Sequence, residues 1–139
     1  MKRLRDIIKL PNNYYSLRQE TKDRFLELAG INYIKPLFGL IAALIILNLF
    51  FSYKISQWSS QDLLILHYNV TTGIDLIGPE NRLFIFPILG FLILAINTAL
   101  AMVIKKERKF LSYFLVLAAL TCNLILLISL GLVYIINFR

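Results

Sequence analysis

The chain has 139 residues, of which 58% are apolar, a mean hydropathy of +0.71 and a formal net charge of +7. A soluble domain is nearer half apolar and is not blocked into long charge-free runs, so a purely soluble architecture is excluded. Nucleic acid is not expected as a partner either: eight of the fifteen cations lie at or before Lys35 and four more are Lys105, Lys106, Arg108 and Lys109, a distribution that anionic headgroups account for.

Met1 to Leu10 alternates Lys and Arg with Leu4, Ile7, Ile8 and Leu10, a short basic amphipathic piece that Pro11-Asn12-Asn13 is expected to break. Ser16 then reads as a helix start, with Gln19 three residues on as in a capping box and Gly30 as a C-cap. Leu17, Thr21, Phe25 and Leu28 recur at helical spacing beside Arg18, Lys22 and Asp23. Such a helix lies on a membrane surface or docks on a partner. Residues 1–34 therefore read as an amphipathic segment, and 35–139 as a membrane domain.

A bilayer core about 30 Å thick needs roughly 20 apolar residues in a helix rising about 1.5 Å per residue. Three runs meet this, giving spans at about 36–54, 81–105 and 110–136 with an outer loop at 55–80. The first, behind a charged segment, would act as an uncleaved signal anchor. Cations concentrate in cytoplasmic loops, so the N-terminus is expected inside a cytoplasmic (inner) membrane, with loop 55–80 and the C-terminus outside. The expected fold class is an all-α membrane protein: three transmembrane helices, an N-terminal interfacial helix and a structured outer loop.

Gly39/Ala43, Ala95/Ala99 and Ala118/Cys122 form small-xxx-small pairs, which predict close helix packing in a compact bundle, alone or in an oligomer. Cys122, the lone cysteine, permits no intramolecular disulfide and reads as a small contact residue. Each span carries one amide, Asn48, Asn97 and Asn123, which should face protein rather than lipid. Counted from the inner boundary, Asn48 and Asn123 fall at one depth and are expected to lie close, with Asn97 nearer the inner leaflet; replacing both Asn48 and Asn123 with Leu is then expected to cost less than replacing either. Pro87 is expected to kink the second helix, unless that helix starts near Phe86. No Asp, Glu, Lys, Arg or His lies between Leu83 and Ile104 or between Phe110 and Ile136, which argues against a proton- or ion-coupled transporter.

The polar residues collect between Leu66 and Pro79. Asp62 to Val70 suits a strand or an apolar segment on the helix ends, Thr71-Thr72-Gly73 a turn, and Gly78-Pro79 a second turn. His67, Asn69, Asp75 and Glu80 can then approach one another. Tyr53, Trp58 and Tyr68 suit an interfacial aromatic belt. His67 and Asp75 could offer two ligands to a divalent ion, with Asp62 or Glu80 as a third, but the spacing of a zinc motif is absent. Hydrolysis would have to use Thr71 or Thr72, candidates by proximity alone, since no serine or cysteine nucleophile stands beside His67 in the sequence. Asn69-Val70-Thr71 also fits a glycosylation sequon. The simpler expectation is that His67 and Asp75 bond to each other or to the loop backbone, with Gly73 in a left-handed turn. No cofactor is implied.

The spacing His67, Gly73, Asp75 and Gly78, after one span and before a second with a proline near its start, resembles the extracytoplasmic motif of a bacterial membrane domain of unknown function. That domain occurs in the immunity-protein family for the Bacillus sporulation-delaying toxin and in small uncharacterised three-span membrane proteins. The likeness covers roughly 37–104 and is nearest at Leu66-His67-Tyr68-Asn69 and Gly73-Ile74-Asp75; no proline precedes His67 here, and no lysine closes the loop. The resemblance implies a non-enzymatic role for loop 66–79 in recognising a peptide, an envelope component or another membrane protein, as in toxin resistance or envelope signalling. The alternatives are a subunit of a larger transporter or membrane complex and a metal-dependent enzyme using His67 and Asp75.

Overall fold

The structure, a computed structural model, describes residues 10–58, 63–69, 71–104 and 109–138. In chain order the elements are α1 (Leu10–Ala29), α2 (Lys35–Trp58), β1 (Leu64–Asn69), β2 (Gly73–Gly78), a 3-10 turn (Glu80–Phe84), α3 (Ile85–Ile104) and α4 (Lys109–Phe138). Three stretches, Lys35–Trp58, Glu80–Ile104 and Phe110–Phe138, are helical, long and apolar enough to cross a membrane.

α1 begins at Leu10 rather than Ser16. Pro11 stands in its first turn, where a missing N–H breaks no helical bond, so the Pro-Asn-Asn triplet opens a helix instead of interrupting one. The basic piece expected at 1–10 lies, up to residue 9, outside the described residues. Gly30 ends the helix without a left-handed cap: its N–H donates to the Leu26 carbonyl (2.9 Å), and Gly73 is the one described residue with positive φ. The N–H groups of Ile34 and Lys35 both donate to the Ile31 carbonyl, closing the turn into α2. Leu28, fully buried, roots α1 in the bundle.

The second span corrects one expectation. α3 is not kinked at Pro87; the α-helix starts at Ile85, with Pro87 in its first turn after the 3-10 segment. A proline there has no N–H to give the Leu83 carbonyl four residues back. The Ser52 hydroxyl of α2 donates to that carbonyl instead, at 3.0 Å and fully buried.

The core is layered. At the α1 end, Leu28, Ile34, Ile41, Ala101, Val116 and Ala119 form one apolar cluster; at the other end, Ile55, Leu64, Leu83, Leu130 and Val133 form a second. Between them lies a polar layer containing Asn48 and Asn123, both fully buried. Two of the small-residue pairs do not build this bundle. Gly39, Ala43, Ala95 and Ala99 are exposed, and a Cβ on Gly39 would meet nothing within 4 Å. Gly90 does that work: α4 approaches it so closely that a Cβ there would collide with the Asn123 amide oxygen. Outward, Ile46, Phe50, Ile88, Phe91, Ile125 and Ile128 stand exposed on the helix flanks, a surface suited to lipid and not to water.

Candidate functional site

At the end of the bundle away from α1, β1 and β2 form an antiparallel hairpin, the only sheet among the described residues. Its turn is built from local side-chain bonds. The Asn69 Oδ1 accepts from the Thr71 backbone N–H (3.0 Å) and hydroxyl (2.8 Å), an Asx-type turn, and Gly73 reverses the chain at φ +81°. The register runs from Asn69 opposite Gly73 to Leu64 opposite Gly78, with an irregularity at His67, which faces Leu76. Bulges of this kind re-aim side chains. Here His67 Nδ1 lies 3.3 Å from Asp75 Oδ2, while the Thr72 hydroxyl donates to Asp75 Oδ1 at 2.7 Å.

Gly78 leaves room for two neighbouring side chains, a role the sequence did not reveal. It is buried, and a Cβ there would meet Arg82 Cδ at 2.8 Å and Leu66 Cδ1 at 2.9 Å. Arg82 therefore lies across the end of β2, and any side chain at 78 would push it off.

His67, Asn69, Gly73 and Asp75 thus converge on one hairpin, but Glu80 does not join them. Among the described residues no three metal-ligating side chains come together, and Asp62 lies outside those residues. The His67–Asp75 pair is open to solvent, with side chains 62% and 37% exposed, and so is worth at most about 1 kcal/mol. It organises the surface of the hairpin more than it stabilises the fold.

The bundle holds the hairpin through a residue that sequence reading passed over. Asn137, near the end of α4, accepts the Ile65 N–H on Oδ1 and donates from Nδ2 to the Ile65 carbonyl, both at 2.9 Å. The amide acts as a one-residue strand on the outer edge of β1. The detectable signal was its isolation, a single amide in the apolar last turns of the third run. Since the Ile65 backbone groups point outward, Ile65 and Ile77 form a non-hydrogen-bonded pair, and the Ile77 N–H and C=O point to the outer edge of β2. Among the described residues nothing pairs with that edge, and Ile74, Leu76 and Ile77 beside it are each about half exposed.

The intramembrane amides are arranged differently from the site at the surface. The Asn123 Nδ2 donates to the Ala119 (2.9 Å) and Gly90 (3.3 Å) carbonyls, and the Asn48 Nδ2 to the Leu44 carbonyl (3.0 Å) and, at 3.5 Å, to the backbone carbonyl of Asn123. Asn48 and Asn123 lie together, but the contact runs through main chain and not from amide to amide. A Leu at 123 would keep that acceptor, which removes the ground for expecting the double replacement to be milder than either single one. Asn97 stands apart, bonded to its own helix at the Ile93 carbonyl, about 10 Å along α3 from Gly90 toward the α1 end. No family model matches this chain, and no match was found among curated proteins or solved structures.

Proposed function

We propose that this protein is a non-enzymatic recognition protein of the cytoplasmic membrane, presenting the hairpin on the extracytoplasmic side to capture an extended segment of a partner on the open edge of β2. The positive charge at and before Lys35 and at 105–109 supports that orientation. One observation carries the reading: the two edges of the hairpin are treated differently, β1 being closed by Asn137 and the outer main-chain groups of β2 meeting no partner among the described residues, beside three half-exposed aliphatic side chains. Exposed edges of this kind are templates for strand addition, in which main chain supplies affinity and alternate side chains supply selectivity. The immunity-type role implied by the family resemblance is one setting in which such capture would be used.

The test is a photo-crosslinker at Leu76, with the adduct mapped by peptide sequencing, in the native chain and in Ile77→Pro. Proline at 77 removes an outward N–H without removing a bond to β1. Strand capture requires the adduct to map to an extended segment and to vanish in Ile77→Pro while the β1 amides keep their exchange protection. An adduct that survives the proline refutes edge pairing. A second reading, assembly with another membrane helix, is favoured by the open space at Gly39 beside exposed Ala43 on α2; it predicts that Gly39→Leu disrupts the complex and leaves the Leu76 adduct unchanged.

A further inference from the structure

Between α2 and α4, at the hairpin end, the bundle surface is notched. The notch has a volume of about 260 Å³ and is lined by Ile55, Trp58, Leu130, Gly131 and Tyr134, with Lys54 at its rim. Its floor is open at Gly131, where an added Cβ would meet nothing within 4 Å. We propose that this notch is a binding site for one phospholipid with a net-negative headgroup, one acyl chain lying over Gly131 and the phosphate on the Lys54 ammonium.

Three observations converge on that occupant. The first is depth. Lys35 and Lys54 bracket the charge-free part of α2 and are 19 residues apart, about 28 Å at 1.5 Å per residue. That is close to the thickness of a hydrocarbon core, so a Lys54 ammonium reaching outward lies at the level of phosphates. The second is charge. The Lys54 Nζ lies 5.8 Å from the Phe50 ring centroid and has no carboxylate partner among the described residues, leaving its donors for an anion. The third is shape. The lining stretch of α2, from Phe51 to Trp58, is about 10 Å long. A helix is itself 10–12 Å across and cannot enter so short a recess, whereas an extended hydrocarbon chain can. Trp58 and Tyr134, 6.2 Å apart between ring centroids, frame the notch with the amphipathic rings that settle at headgroup depth.

Trp58 is the only tryptophan, so it reports the notch directly. The full chain is reconstituted in phosphatidylcholine bilayers, and Trp58 fluorescence is quenched with dibrominated-chain phosphatidylglycerol or dibrominated-chain phosphatidylcholine. The anionic lipid should compete for the site about fivefold more effectively, the factor one cation near an anionic headgroup supplies. Lys54→Gln should reduce the ratio to about one, while Arg82→Gln, a cation at the same end of the molecule but outside the notch, should leave it unchanged. Native mass spectrometry of the detergent-purified chain should find one bound lipid, and Gly131→Leu should displace it. If Gly131→Leu fails to fold, the Lys54→Gln and Arg82→Gln pair still decides. Equal quenching by both lipids in the native chain, indicating an unselective annulus, overturns the proposal. So does an equal loss of preference in Lys54→Gln and Arg82→Gln, or a second protein copy crosslinked at Gly131.

Discussion

Gly90→Ala tests the packing that fixes how α3 and α4 meet. The added methyl would collide with the Asn123 amide oxygen, and Asn123 has little freedom to yield. It is fully buried, and its Nδ2 is held by the Ala119 and Gly90 carbonyls at 2.9 and 3.3 Å. Either the amide swings away and loses the Gly90 bond, or the helices part. Overpacking of this kind costs about 1–3 kcal/mol, and exchanging Gly for Ala within a helix returns up to about 1 kcal/mol. The expected net loss therefore lies between about 0 and 3 kcal/mol, centred on about 1.5 kcal/mol. Removing the obstruction should reverse the sign: in an Asn123→Ala background, Gly90→Ala should be neutral or stabilising. The cycle is measured by reversible unfolding in mixed micelles, with helicity as the readout. Effects that add to within about 0.5 kcal/mol would show that the two positions do not touch, and the close approach of α3 and α4 would be wrong.

Asn137→Leu should free the hairpin while the helices stay folded. Two bonds at about 1 kcal/mol each predict roughly 5- to 30-fold faster hydrogen exchange at Ile65, with the amides of α3 unchanged. Ser52→Ala leaves the Leu83 carbonyl buried without the hydroxyl it accepts from, so thermal stability should fall by about 1–3 kcal/mol, whereas Ser52→Thr, which keeps the hydroxyl, should lose less. His67→Ala should cost no more than about 1 kcal/mol and should speed exchange in the hairpin alone; unchanged exchange there would show that the pair with Asp75 does not order it.

Run length alone located the three spans, because only a helix satisfies its own backbone over 20 or more apolar residues in lipid. The turn at Thr71-Thr72-Gly73 was legible because Gly73 permits the left-handed backbone it adopts, whereas the Asn69 bonds and the pairing of Gly73–Gly78 as a second strand were not. The rotation of each helix about its axis was not legible. Lipid and protein core both favour apolar side chains, so nothing in the pattern said that Gly39 faces outward and Gly90 inward. Pro87 was ambiguous on the same ground, since its setting depends on a hydroxyl 35 residues earlier. Asn137 stayed hidden because its partner is main chain, which carries no sequence signature.

α4 has 30 residues and is about 45 Å long, well beyond a hydrocarbon core of about 30 Å, and its far end carries the amide clasping Ile65. A helix with excess length leans more when the bilayer thins. Asn137 bonds both the N–H and the C=O of Ile65, so the first strand of the hairpin is tied to the last turns of α4. In a bilayer, a change in the lean of α4 would be passed through that clasp to the hairpin.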